Sequence, residues 1–223
     1  MKMKLISMVI AGAALIVAQA KAGPNLLVNG SFEIYNPVYP YNVPGWTGTI
    51  HVAIGDGVKA PGAEDGTNAA YFQNLDGSAQ QTTAGAITSG QAYQLNFWTM
   101  DIDTYNGSWS GAGIGQISVE LYYGSPGNDI YAQKDFNLGL SSDGITPGTW
   151  VDQNLLIPAS DIPVGAIGQD IGIRIWNSSS GDISSSWIYV DNVVLQPVPE
   201  PGTVALFGLG ALGGLLALRR RRA

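Results

Sequence analysis

Few side chains in this sequence could do acid–base or nucleophilic chemistry. His51 is the only histidine, there is no cysteine, and neither a G-x-S-x-G nor an H-E-x-x-H motif occurs. The commonest nucleophile and zinc arrangements are therefore missing, and a lone histidine on a strand or loop is usually just solvated. A glycosidase needs only two carboxylates about 5 to 10 Å apart, but the sequence does not show which two would face a cleft. We assign no catalytic residue and do not expect an enzyme.

Apolar residues alternate with polar or aromatic ones along several predicted strands. This pattern suggests recognition of a sugar rather than catalysis. If Leu95, Val119 and Ile173 face the core, the residues next to them in the sequence face outward, because side chains of a strand alternate between its two faces. Aromatic rings stack on the apolar face of a pyranose, and polar groups satisfy its hydroxyls. These residues form one binding platform only if their three strands share a sheet. The candidate ligand-binding residues are Trp98, Trp176, Asn96, Tyr122, Glu120 and Arg174.

Two structural interpretations of the same residues stay open. Loops such as the one containing Trp109 could cover Trp98 and Trp176 and form a satellite core. Arg174 could pair with Glu120 across neighbouring strands, a contact that contributes a few tenths to about 1 kcal/mol. A binding face needs exposed rings, so the exposure of the two tryptophans decides between these interpretations.

The elements that position these residues are short β-strands. Clusters of Gly, Ser, Asn, Asp and Pro separate the alternating runs, and no window of the body shows a convincing helical period. Short strands at this spacing predict an all-β, antiparallel sandwich. The alternating runs are residues 69–73, 93–99, 117–122, 155–158, 171–176 and 187–195.

Four stretches resemble the galactose-binding-like jelly rolls found in many carbohydrate-binding modules. They are NLLVNGSFE (25–33), PGWT (44–47), SGQAYQLNFW (89–98) and WIYVDNVVL (187–195). The resemblance implies a jelly-roll β-sandwich whose first and last strands lie close together. It also implies a structural calcium ion where they meet, with Glu33 and Asp191 as carboxylate ligands; calcium takes six to eight oxygens. Alternatively, each carboxylate only accepts backbone hydrogen bonds at a strand end.

Charge narrows the range of partners. Only Lys59, Lys134 and Arg174 lie between residues 23 and 198, against sixteen carboxylates, which gives this segment a net charge near −13. Such a surface repels phosphate backbones and anionic lipids, so we exclude nucleic acid as a partner. Neutral sugars and calcium remain suitable partners.

Both ends of the chain carry export signals. Residues 1–22 combine lysines, an apolar stretch and a small-residue cleavage site, as in a secretory signal peptide. Near the other end, Pro199, Glu200 and Pro201 precede an uncharged stretch, residues 203–218, and four arginines. This order resembles the PEP-CTERM sorting signal of Gram-negative bacteria. The resemblance implies processing by an exosortase-type transpeptidase, transient membrane anchoring through a hydrophobic helix, and delivery to the cell surface or exopolysaccharide matrix.

These features predict three segments: a signal peptide (1–22), a β-sandwich (23–197) and a sorting and anchor segment (198–223). We predict an exported, non-enzymatic protein that binds carbohydrate or exopolysaccharide through one face of the sandwich. The alternative is a structural or adhesive matrix protein without a sugar site. A small glycoside-active enzyme is a third possibility.

Overall fold

A computed structural model describes residues 22–36, 43–54, 63–73, 77–101, 115–127, 129–138, 149–179 and 187–199. These residues form strands β1 (His51–Ile54), β2 (Asn68–Gln73), β3 (Ser78–Ala86), β4 (Ala92–Asp101), β5 (Gln116–Tyr122), β6 (Ile130–Asn137), β7 (Val151–Ile157), β8 (Asp170–Asn177) and β9 (Trp187–Val198). Two short 3-10 turns, Ala159–Asp161 and Val164–Ala166, lie between β7 and β8. Within these ranges, no helix is long and apolar enough to cross a membrane.

The strands form two antiparallel sheets. The five-stranded sheet has the order β1-β2-β9-β4-β7, and the four-stranded sheet has the order β3-β8-β5-β6. Leu95 and Phe97 of the first sheet, with Val119, Leu121 and Ile173 of the second, belong to one core cluster and are each 0 % exposed. Because successive side chains of a strand point to opposite faces, every second residue projects outward. The predicted all-β jelly-roll sandwich is confirmed.

All six alternating runs are strands, whereas β1, β3 and β6 were not predicted. β3 lacks the apolar pattern because its inward residues are Ala79, Gln81 and Thr83. Gln81 is tolerated in the interior because its amide bonds Val28 twice. The Val28 N–H donates to Oε1 at 2.7 Å, and Nε2 donates to the Val28 carbonyl at 3.0 Å. Paired polar groups of this kind are buried at little cost.

The N-terminal segment lies beside the last strand. The Gly23 N–H donates to the Pro197 carbonyl at 2.7 Å, and the Leu26 N–H donates to the Leu195 carbonyl at 2.7 Å. The two ends of the domain therefore meet, as the family resemblance implies. The predicted signal peptide up to residue 21 and the sorting segment from residue 200 onward lie outside the described residues.

Candidate functional site

The sandwich places the predicted ligand-binding residues on two opposite faces. β4 belongs to the five-stranded sheet, whereas β5 and β8 are neighbours in the four-stranded sheet. The prediction of one platform with both tryptophans is wrong, because the core lies between their outer faces. Both tryptophans are half-buried. Trp98 and Asn96 lie on one face; Glu120, Tyr122, Arg174 and Trp176 lie on the other.

Glu120 and Arg174 contact each other on the four-stranded sheet. Glu120 is 2 % exposed, and its Oε1 accepts the Gly127 N–H at 3.0 Å and lies 3.9 Å from Arg174 Nη1. The guanidinium also lies over the Trp176 ring, 4.8 Å from its centre. The cross-strand pairing of Arg174 with Glu120 is therefore confirmed. We call this outer surface, which carries Ser118, Glu120, Tyr122, Arg174 and Trp176, the polar face.

Tyr122 is a packing residue of the polar face. Its ring lies directly against Gly172 of β8, where any side-chain Cβ would overlap the ring. Its hydroxyl lies 3.1 Å from Thr82 Oγ1 on β3. With only 2 % exposure, the Tyr122 ring is not available to stack on a sugar.

Three rings lie side by side across the outer surface of the five-stranded sheet. His51 of β1 is paired with Tyr71 of β2, Tyr71 with Tyr189 of β9, and Tyr189 with Met100 of β4. Ring centres are 5.0 Å apart for His51 and Tyr71, and 5.6 Å apart for Tyr71 and Tyr189, with interplanar angles of 24° and 28°. Paired residues project from the same face of a sheet. We call these four residues the aromatic row.

The aromatic row is an apolar cluster that is largely buried. Tyr189 and Met100 are 1 % exposed, whereas His51 and Tyr71 are half-buried. Tyr189 and Met100 form a cluster with buried Ala69, and Ala63, Tyr71 and Trp150 pack against it. The rings stack on one another across neighbouring strands, and aromatic rings in general pair either offset-stacked or edge to face.

Asp191 is a buried carboxylate on the same face. It is 0 % exposed and is paired with Trp98 in the sheet. Its Oδ2 accepts the backbone N–H groups of Glu64 and Asp65, both at 2.9 Å, and its Oδ1 accepts that of Asn192 at 2.7 Å. Burial raises the pKa of Asp191 to about 7, although these hydrogen bonds act in the opposite direction. Asp191 therefore changes protonation near neutral pH beneath a covering loop.

Glu33 holds the other end of that loop. Its Oε1 accepts the N–H groups of Thr67 and Asn68, both at 2.8 Å, and its Oε2 accepts the Asn68 side-chain amide at 3.0 Å. Both carboxylates thus accept backbone hydrogen bonds, which does not decide whether they also bind calcium. Ala63, the residue before Glu64, packs against the cluster beside the aromatic row. Glu33 and Asp191 thus position a segment that borders the row.

Calcium at Glu33 and Asp191 stays a prediction. A carboxylate offers about four lone-pair positions, and each of these two groups already accepts three N–H donors. One position is left on each, whereas calcium takes six to eight oxygens. The described ranges contain no group of three or more acidic or histidine side chains able to hold a metal ion. Carbonyl and water oxygens would have to supply the remaining ligands.

Sequence reasoning missed the aromatic row, although part of the signal was present. In residues 69–73 and 187–195, alternation also places Tyr71 and Tyr189 outward, because Phe72 and Val190 are buried in the core. That pattern does not show that the two tyrosines are neighbours, which depends on strand order. His51, which we expected to be solvated, stacks on Tyr71.

The end of the chain matches a known sorting signal. Residues 197–222 match the family model of the PEP-CTERM protein-sorting motif. The predicted motif at Pro199, Glu200 and Pro201 is confirmed, and it implies export and membrane-associated processing in a Gram-negative bacterium. Of these three residues, only Pro199 lies in the described part of the chain, where it is exposed.

Solved structures share the fold. The Stig cyclase FisC of Fischerella sp. TAU, in complex with (3Z)-3-(1-methyl-2-pyrrolidinylidene)-3H-indole, has a TM-score of 0.57 at 20% identity, covering 80% of this chain and 99% of that one. A cyclase from the same organism, in complex with 4-(1H-indol-3-yl)butan-2-one, has a TM-score of 0.54 at 20% identity, covering 81% and 100%. The CBM22-1 xylan-binding domain of Paenibacillus barcinonensis Xyn10C has a TM-score of 0.46 at 14% identity, covering 81% and 99%. The likeness to the two cyclase structures concerns the fold alone. No curated protein matches the chain.

Residues 24–196, well over half of the chain, match the model of the HpiC1-like family, described as HpiC1 cyclase. This match overturns the prediction of a non-enzymatic, carbohydrate-binding protein. The prediction went wrong because it rested on the absence of nucleophile and zinc motifs, and an enzyme can act without either. The sandwich has the fold of a cyclase, and the chain belongs to the HpiC1-like family.

Proposed function

We propose that this chain is an exported cyclase whose substrate binds on the aromatic row. The observation that carries the proposal is the line of His51, Tyr71, Tyr189 and Met100, paired across four strands. A sheet places such side chains about 5 Å apart. Tyr189 and Met100 are buried and support the half-buried His51 and Tyr71, which form the accessible part of the row. Rigid elements hold a substrate more accurately than loops do.

Two features support a planar, electron-rich aromatic substrate. The half-buried rings of His51 and Tyr71 stack on each other, and a planar aromatic ligand can pair with such rings face-on or edge-on. The net charge near −13 between residues 23 and 198 favours neutral or cationic ligands over anionic ones. The ligands of the two similar cyclase structures are both indoles, and an indole is planar and electron-rich. We therefore assign the substrate to the indole-bearing small molecules.

His51 is our choice for the catalytic residue. In an isomerising ring closure, a new bond forms within one substrate, a proton enters at the start, and a proton leaves at the end. His51 lies in the row and is half-buried, and an imidazole ring can act as a proton donor or acceptor in catalysis. Asp191 acts as a positioning residue instead, because the backbone of Glu64 and Asp65 covers its carboxylate.

Binding of an indole probe tests the site. Calorimetric titration of the purified chain, without its signal peptide, with 4-(1H-indol-3-yl)butan-2-one should give saturable binding. Tyr71→Leu keeps an apolar side chain but removes the ring, and should weaken binding about tenfold, the upper range for one aromatic pair. Trp176→Leu on the polar face is the matched control and should leave the affinity unchanged. Equal losses in both variants, or no binding by the unaltered chain, would overturn the proposal.

Turnover requires a separate measurement. An isomerising ring closure yields a product with the mass of its substrate but a different chromatographic retention. Incubating the chain with alkene-bearing indoles and separating the mixture by liquid chromatography with mass detection should show such an isomer. Absence of any isomer across the panel would leave a binding protein and contradict the cyclase assignment.

The destination of the enzyme is part of the proposal. After processing by an exosortase-type transpeptidase, the chain would be delivered to the cell surface or the exopolysaccharide matrix. Carbohydrate remains a predicted partner there, and a glycan array in calcium and in chelator tests it. Binding that disappears in Trp98→Ala or in Trp176→Ala would also show which face is involved.

A further inference from the structure

Both ends of the domain leave the sandwich at the same place. Val198, the last residue of β9, is paired with Ala92, the first residue of β4. The Gln91 side chain donates from Nε2 to the Val198 carbonyl at 2.8 Å. Gly23, near the start of the domain, donates its N–H to the Pro197 carbonyl at 2.7 Å. One end of the sandwich therefore carries both chain exits.

The same end exposes apolar side chains. Val164 and Ile167 are 86% and 40% exposed, and Leu156 near the end of β7 is 49% exposed. The Gly168 N–H donates to the Ile87 carbonyl at 2.8 Å, which places this loop beside the turn that leads into Gln91. We call the surface formed by Gln91, Leu156, Val164, Ile167 and Val198 the exit face.

The charges near the exit face restrict what can cover it. Asp161 and Asp170 are exposed in the segments that flank Val164 and Ile167. In the described part of the chain, the only Lys and Arg side chains are Lys134 and Arg174, on β6 and β8. Anionic surfaces are therefore repelled, whereas a zwitterionic surface with an apolar interior is suitable.

The sorting segment brings this surface close to a membrane. Its family match begins at residue 197, inside β9, so no linker separates the folded domain from the sorting motif. Only four residues lie between Val198 and the uncharged stretch that begins at Thr203, and a chain of that length spans at most about 18 Å. Membrane-associated processing of the tail therefore holds the exit face near the lipid headgroups.

We propose that the exit face lies on the bilayer, with Val164 and Ile167 inserted at the boundary between headgroups and acyl chains. Side chains that are exposed in the folded domain would be covered there, and the sorting motif would lie at the depth of a membrane-bound processing enzyme. Met100 is eight residues from Ala92 along β4, or about 26 Å. The aromatic row consequently lies away from the membrane and stays accessible to soluble substrate during processing.

Single-cysteine labelling tests this orientation without interference, because the chain has no cysteine of its own. Val164→Cys is labelled with an environment-sensitive nitrobenzoxadiazole dye in the chain that retains its tail, and phosphatidylcholine vesicles are added. Val28→Cys is the matched control: Val28 is 62% exposed, and its backbone bonds Gln81, five residues from the exit end of β3. Flotation with the vesicles shows that the labelled chain is membrane-bound.

The expected result is a blue shift and at least a twofold rise in emission for the label at position 164, with no change at position 28. A label at position 167 should show a smaller rise, because Ile167 is less exposed. Equal responses at 164 and 28 on vesicle-bound chain would overturn the proposed orientation. A chain that does not float with the vesicles would overturn membrane contact itself. Neither outcome affects indole binding, so this proposal stands or falls independently of the cyclase assignment.

Discussion

The two outer faces of the sandwich use their side chains in different ways. On the polar face, buried polar side chains bond to exposed neighbours: Ser118 Oγ donates to Asp135 Oδ1 at 2.6 Å, and Glu120 accepts the Gly127 N–H. On the opposite face, the aromatic row is held by ring stacking. Hydrogen bonds use up donors and acceptors in pairs, whereas ring stacking is an apolar contact that uses up neither. Outward polar residues therefore do not make a binding site when they satisfy each other.

The largest expected effect is on turnover, which should depend on the aromatic row and not on the polar face. His51→Asn should reduce the rate of isomer formation by about 10²- to 10⁴-fold, the usual contribution of a general acid or base. Indole affinity should change less than about threefold, because an amide fills most of the space of the imidazole. Glu120→Gln on the polar face is the control and should leave the rate within a factor of about three. A large loss in Glu120→Gln with an unaffected His51→Asn would place the chemistry on the polar face.

The next effect concerns stability and lies on the polar face. Gly172→Ala places a Cβ against the Tyr122 ring, and overpacking of this kind costs about 1–3 kcal/mol. Urea denaturation should show the loss, while indole affinity stays unchanged. In a Tyr122→Leu background the same substitution should cost less, because the obstructing ring is gone. Equal costs in both backgrounds would mean that Tyr122 is not packed against Gly172.

The sequence predicts much of this fold but little of the site, for physical reasons. Alternation identifies β4 and β5 because buried Leu95 and Val119 are apolar. Alternation cannot assign strands to sheets. β4 and β5 are consecutive in the chain but belong to opposite sheets. The predicted sugar platform failed at that step. The aromatic row likewise exists only through the register of β1, β2 and β9, which no local pattern contains.

The third prediction concerns how stability depends on pH. It compares Asp191 with Glu120, the buried carboxylates of the two faces. The pKa of Asp191 is raised by burial from 3.8 to about 7. Between those values the folded state holds a proton that the unfolded state has lost, so stability rises as pH falls from 8 towards 4. In chelator, unfolding at pH 5 should require about 2 kcal/mol more than at pH 8, measured by urea denaturation. Asp191→Asn should remove this dependence, whereas Glu120→Gln should keep it.

Calcium would change the sign of that dependence. A bound cation holds Asp191 ionised, so stabilisation by calcium should be largest at pH 8 and should decline as pH falls. Melting temperatures in calcium and in chelator, at pH 8 and pH 5, measure it directly. Identical melting temperatures with and without calcium at both pH values would contradict the predicted site at Glu33 and Asp191.

The smallest expected effect tests how much Arg174, the cation of the polar face, contributes to stability. Arg174 is about one-third exposed and lies 3.9 Å from Glu120, so solvent screening leaves that ion pair a few tenths of a kcal/mol. Its contact with the Trp176 ring adds about 0.5–1 kcal/mol. Arg174→Met should therefore lower the free energy of unfolding by about 1 kcal/mol, because Glu120 keeps its hydrogen bond from the Gly127 N–H. A loss above about 3 kcal/mol would show instead that Arg174 neutralises a buried charge, and the polar face would then be an electrostatic site rather than a hydrogen-bonded surface.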